Sequence, residues 1–170
     1  EANALCEYKL RQVLGQDAQN PLESPGGLQY YDNAMEDAAT GYAAFVLEKL
    51  EEIRRTCPDP LVMVEQRLDF SRWVKDGYGT GDAVIVADGT LHVVDFKYGT
   101  GVPDSAEGHS HMRLYALGAL DMFGELYAIA TVVTTRYQPP PATHRTDTTS
   151  KTAPLHLAET NPGPLGDPAY

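Results

Sequence analysis

The 170-residue sequence reads as one α/β domain, and three observations lead there. An amphipathic helical pattern runs from Asp32 to Ile53. Two apolar runs meet at Asp88-Gly89, a pair suited to a type I′ hairpin turn. A helical stretch then separates that hairpin from a β-branched run ending at Tyr137.

The elements follow in order. Residues 1–14 read as a helix with Leu5, Leu10 and Leu14 among its apolar positions and Gly15 as its stop. Gln16 to Tyr31, rich in Pro, Gly, Asn and Asp, reads as a loop. Asp32 or Asn33 can cap the next helix, in which Met35, Ala38, Tyr42, Val46, Leu50 and Ile53 recur at spacings of three or four. Cys57-Pro58-Asp59-Pro60 ends it. Leu61 to Phe70 alternates as a strand, with Val62, Val64, Leu68 and Phe70 expected on one face and Glu65, Arg67 and Asp69 on the other. Strands 82–87 and 90–97 form the hairpin. Ser105 to Phe123 contains a helix with Leu114, Leu117 and Leu120 inward, and Leu126 to Tyr137 is the last strand. After the N-terminal helix the order is therefore helix, strand, strand, strand, helix, strand.

From Gln138 the character changes. Seven prolines and six threonines fall between Pro139 and Tyr170, without apolar periodicity. Such a segment buries too little surface to offset its ordering entropy. The expected organisation is a domain over 1–137 and a disordered Pro/Thr-rich tail over 138–170.

Composition narrows the function. The net charge of −11 argues against holding nucleic acid by bulk electrostatics. Glu36, Asp37, Glu48, Glu51 and Glu52 read as a solvated face, so any DNA contact must use local cations such as Arg67, Arg72, Lys75, Lys97 and Arg113, bound metal, or a partner protein. No apolar run approaches the ~20 residues of a membrane span, and no signal peptide is visible. Glu1 already lies in helical pattern, as in a fragment of a longer chain. Cys6 and Cys57 make neither a disulfide framework nor a four-thiolate cluster site.

The hairpin carries the chemistry. With Asp88-Gly89 as the turn, Ala87 pairs with Thr90, Val86 with Leu91, and so on until Asp82 faces Asp95. Directly opposed like charges destabilise a sheet, and a divalent cation held by oxygen ligands offsets them. Period 2 puts Lys97 on the face of Asp95. Two carboxylates and an ammonium on one patch can bind metal and stabilise a developing anion, as phosphodiester hydrolysis requires. The competing reading is ordinary charged alternation on a half-exposed strand. Against it, the pair is flanked by Val84-Ile85-Val86 and Val93-Val94, where unpaired charges are rare.

Other motifs carry less. Gly77-Tyr78-Gly79-Thr80-Gly81 lacks the Lys-Ser/Thr and helix of a phosphate-binding loop and is expected to be a flexible turn that brings Asp82 into position. His92 should point away from Asp95. His111 and Tyr115, four apart on one helix face, could approach a substrate phosphate or simply pack.

The set Gly79-Thr80-Gly81-Asp82, Asp95-Phe96-Lys97 and a helix with a polar residue four before Tyr115 resembles the PD-(D/E)XK nuclease superfamily, in its RecB-like exonuclease branch. The longer blocks VEQRLDFSRWVKDGYGTGDAVIVADGTLHVVDFKYGTGVP and LYALGAL resemble an uncharacterised family of phage and prophage proteins assigned to that superfamily. The resemblance covers roughly residues 1–137. It implies a restriction-endonuclease-like αβββαβ core, a central mixed sheet flanked by helices, with which the element order agrees. It also implies Mg²⁺- or Mn²⁺-dependent DNA cleavage in a bacterial host cytoplasm. By motif match, Asp82 and Asp95 would ligate metal, Lys97 would orient water or stabilise charge, and Glu65 matches a frequent acidic position. His111 and Tyr115 map to a substrate-binding Gln-x-x-x-Tyr.

Three departures stand out. Asn3 occupies the position of a metal-binding His, His111 stands for Gln, and the family pattern is lost after Tyr137. The four-cysteine iron–sulfur set of some relatives is absent. The expected function is a metal-dependent deoxyribonuclease, an exonuclease or end-processing enzyme working with phage recombination or replication proteins. The alternative is a catalytically weak DNA-binding or recombination-accessory module that keeps the fold.

Overall fold

A computed structural model of the chain describes residues 1–99, 106–139 and 143–150. Helix α1 spans Ala2–Val13 and α2 spans Asn33–Arg54, with a short 3-10 turn at Pro21–Glu23 between them. Strands β1 (Leu61–Asp69), β2 (Tyr78–Ala87) and β3 (Thr90–Phe96) follow, then α3 (Ala106–Phe123), β4 (Thr131–Gln138) and β5 (Thr143–Ser150). The five strands lie side by side in chain order. All neighbours are antiparallel except β3 and β4, which are parallel and joined through α3. The sheet is thus mixed and flanked by helices, as expected.

Local chemistry explains the elements. Asp32 caps α2 by accepting from the Met35 N–H at 2.7 Å, satisfying a donor the helix cannot pair internally. Asp88 and Gly89 both have positive φ, 46° and 72°, as a type I′ turn requires. That turn sets Ala87 against Thr90 and Ala83 against Val94, so the register reaches Asp82 opposite Asp95.

Each sheet face carries its own core. Leu5, Leu10, Tyr42, Val46, Val64, Ala83, Val94, Phe96 and Tyr137 pack together on the α1/α2 side. Leu68, Val84, Val86, Leu91, Val93, Ala116, Leu120 and Val132 pack on the α3 side. Leu114, Leu117 and Leu120 are all buried, as the helical spacing predicts. Among the described residues, no helix is long and apolar enough to cross a membrane.

Three expectations need correction. Val64 and Leu68 do not share a face, because Glu65 has a φ of 53°, in the left-handed region that inverts the strand's alternation. The facing strand changes side at the same place. A Cβ on Gly79 or Gly81 would strike Tyr115 or Leu68 and Val84 of the α3 side, whereas Ala83 belongs to the α1/α2 core. Gly79 and Gly81 therefore lie within β2 rather than in a flexible turn, keeping room for those side chains. Finally, β5 pairs with β4 from Gln138↔Thr143 to Thr131↔Ser150, inside the segment expected to be a tail. Its Thr-rich sequence suits an edge strand despite the preceding prolines. The rest of that segment, beyond Ser150, lies outside the described residues.

The inversion gives a testable sign. Glycine in a strand normally costs about 0.5–1 kcal/mol relative to alanine, but a non-glycine residue at positive φ costs roughly 1–2 kcal/mol. Glu65→Gly should therefore unfold at higher urea than Glu65→Ala, both variants lacking the carboxyl. Equal midpoints, or a more stable alanine variant, would mean that position 65 relaxes to ordinary strand geometry.

Candidate functional site

The switch of face leaves Glu65 and Asp82 opposite one another, since Val64 pairs with Ala83 and Gln66 with Gly81 on either side of them. Neither side chain can follow its neighbours into a core, and both sit where the two helical layers meet the sheet. The Asp82 carboxylate folds across the hairpin and accepts the Phe96 N–H at 2.6 Å. Its other oxygen accepts from the Asn3 side chain of α1 at 3.3 Å. Burial, then the charge of Glu7, raises the Glu65 carboxyl, opposed by the Asp82 side chain and by Arg11 of α1.

Asp95 completes the group from β3. Asp82 and Asp95 are 6% and 3% exposed, so two carboxyls of like charge are withdrawn from water together. Burial, then the charge of Asp95, pushes Asp82 up to about 8, against the opposing Phe96 N–H. Burial also raises Asp95, opposed by Lys97, whose ammonium lies 3.4 Å away. Lys97 stays half exposed and so faces the solvent side of the pair. The expectation that it shares the face of Asp95 holds.

The α3 side supplies an aromatic wall. The His111 and Tyr115 rings stack with centroids 6.5 Å apart. The Tyr115 ring packs on Gly79, where a Cβ would lie 2.3 Å from its Cε1. Its hydroxyl is pushed up to about 12 by burial and then by Asp95, Asp82 and Glu65. His111 lies close enough to Asp95 to favour that carboxylate's charged form. All six residues singled out from the sequence thus converge, with Asn3 at the edge.

Sequence reasoning missed several neighbours. Cys6 and Tyr42 are buried beneath the carboxyls, and burial, then Asp82, raises both. The thiol is accordingly inert. Arg136 pairs with Asp95 across the β3–β4 ladder. Only that parallel register reveals it, and no local pattern predicts the register. His92 points away from Asp95 and stays neutral, lowered to about 4 by burial and Lys49.

The donor set fits a hard divalent cation. Its atoms are carboxylate oxygens, and a bound cation would favour their charged forms against the burial that raises them. Among the described residues, no three His, Cys, Asp or Glu side chains form a ready metal cage. Mg²⁺ needs none, since it is usually held by one or two carboxylates, waters and substrate phosphates. Asp82 and Asp95 would be the ligands, with Glu65 beside them.

Among solved structures, the chain is similar to the protein described as "Crystal structure of SSO0001", at 13% identity over 91% of this chain and 82% of that one. With a TM-score of 0.27, that likeness carries no argument. A family model described as "Protein of unknown function (DUF2800)" matches residues 1–170, and the chain belongs to that family.

Proposed function

We propose that this protein is a divalent-metal-dependent deoxyribonuclease. The observation that carries the reading is the buried Asp82–Asp95 pair facing across the hairpin, with Lys97 against Asp95. Asp82 and Asp95 would hold the ion, and Asn3 and the Phe96 N–H fix the orientation of Asp82. When bound, Mg²⁺ or Mn²⁺ supplies Lewis acidity toward a phosphoryl oxygen and a lowered pKa for water. Lys97 places a positive charge where the attacking water or the developing phosphorane charge would lie. His111 and Tyr115 line the approach on the α3 side. The resemblance to RecB-like nucleases extends the reading to processing of DNA ends in phage recombination or replication.

One observation favours the weaker alternative, a DNA-binding accessory module. Asn3 presents its amide N–H to Asp82, and an amide is a poorer ligand than imidazole at that edge of the site. Asn3→His is therefore expected to tighten Mn²⁺ binding.

The test is incubation of the chain with labelled linear and circular DNA over a titration of Mg²⁺ and Mn²⁺. Metal-dependent cleavage is expected. Asp95→Ala should lose Mn²⁺ binding and cleavage together. Lys97→Ala should keep Mn²⁺ binding and lose about 10²–10³ in rate, the usual effect of one preorganised charge. An Mn²⁺-loaded wild type that binds DNA without cutting it, before and after Asn3→His, would instead establish the accessory module.

The raised carboxyls predict a pH dependence in the metal-free protein. A group whose folded pKa exceeds its unfolded value stabilises fully below the unfolded pKa and loses that contribution as pH rises through the folded one. For Asp82 the window runs from the usual carboxylate range to about 8. His92 acts oppositely, its contribution falling as pH drops from about 6.5 toward about 4. Between pH 6.5 and 8 the Asp82 contribution acts and that of His92 does not, at up to about 1.4 kcal/mol per pH unit for each proton involved. In EDTA, stability should fall across that interval, Asp82→Asn should flatten the slope, and Mn²⁺ should restore stability most at pH 8. A wild-type curve that is level or rising there would refute the shift.

A further inference from the structure

Arg136 has no role in the reading above, and its position is unusual. The β3–β4 ladder sets it beside Asp95, one strand spacing away, about 4.8 Å. Phe96 and Tyr137, the neighbours of Asp95 and Arg136, both pack in the α1/α2 core, so strand alternation puts Asp95 and Arg136 together on the other face of the sheet. Asp95 already has Lys97 at 3.4 Å, so Arg136 is a second cation where one completes the pair. The Arg136 Nε is buried with no hydrogen-bond partner among the described residues, although a guanidinium offers five donors in a fixed fork. An enclosed donor without an acceptor is destabilising, so an acceptor supplied from outside would complete this site.

Register adds a second point. The ladder partner of Arg136 on β5 is Arg145. The positions crossing the sheet in one row are therefore Glu65, Asp82, Asp95, Arg136 and Arg145. Acidic positions occupy β1 to β3, and basic ones occupy β4 and β5.

We propose that Arg136 anchors an internucleotide phosphate of the DNA strand beside the scissile one, so that the strand runs from the Asp82–Asp95 pair across β4 toward β5. The inference rests on the nuclease reading and adds the direction of the substrate and the residue that fixes it. The guanidinium fork suits a phosphate bidentately, which an ammonium does not. Arg136 beside the acidic pair would give a chain of net charge −11 a local cation for a polyanion.

Binding of a fluorescein-labelled single-stranded oligothymidylate to the full chain tests this, read by anisotropy with Ca²⁺ as the divalent ion over a range of KCl. Arg136→Gln should weaken binding about tenfold or more. It should also lower the slope of log K against log salt by about 0.7, the value for one single-strand phosphate contact. Arg136→Lys should keep the slope and still lose affinity. If Arg136→Gln fails to fold, the Lys variant carries the test, because equal affinity there removes the fork from the argument. Mn²⁺ binding, measured in parallel, should weaken in neither variant. Wild-type oligonucleotide affinity and salt slope in Arg136→Gln, with only the pH dependence of Mn²⁺ binding shifted, would make Arg136 a counter-charge for Asp95 and overturn the inference. The nuclease reading would survive that result if the wild type cuts DNA. A wild type that binds Mn²⁺ but neither binds nor cuts DNA would remove both.

Discussion

The burial of two like-charged carboxyls on facing strands is the constraint around which this end of the protein is built. A type I′ turn admits one register, and that register makes Asp82 and Asp95 neighbours. The surroundings answer the cost piece by piece. The Phe96 N–H and Asn3 bind Asp82, Lys97 and Arg136 favour the charged form of Asp95, and Tyr115 remains a neutral hydroxyl beside both. These contacts reduce the penalty without removing it, since both carboxyls stay raised. An arrangement that still favours protons is one that an ion can replace them in.

The same pair explains the strain nearby. Were β1 and β2 to alternate regularly, Glu65 and Asp82 would each point into an apolar layer. The positive φ at Glu65 turns both strands over at that pair and leaves the carboxyls at the seam between layers. Glycines at 79 and 81 let Tyr115, Leu68 and Val84 close against the turned strand. Strained backbone of this kind persists only where the surroundings over-determine it. Here they do, with a packed core on each face of the sheet.

What could be read from the sequence was what is local. The Asp32 cap, the turn at Asp88-Gly89, the inward leucines of α3 and the facing of Asp82 and Asp95 each depend on residues close in the chain. What could not be read depends on partners far away. Alternation placed Val64 and Leu68 together because nothing in β1 announces a left-handed Glu65. The glycines of β2 resemble those of a turn, and only α3 shows why a Cβ is excluded. Arg136 looks like one more strand residue until the parallel ladder sets it beside Asp95. Composition alone dismissed β5, because proline and threonine content cannot reveal that an adjacent strand offers an open edge.

Charge at the site also bears on the order of events under the nuclease reading. With Glu65, Asp82 and Asp95 ionised against Lys97 and Arg136, the group carries one net negative charge by formal count, and a phosphodiester would add another. Between groups as buried as Asp82 and Asp95 that repulsion is only weakly screened by salt. Protonating the carboxyls would relieve it but would also remove the ligands that the chemistry needs. A divalent ion relieves it while keeping them ionised. Metal binding and phosphate binding should thus favour one another, a reciprocity that linkage requires. Under that reading, the acidic charge that first argued against a nucleic-acid protein would be, at this site, a reason for DNA to be held when metal is present and released when it is not.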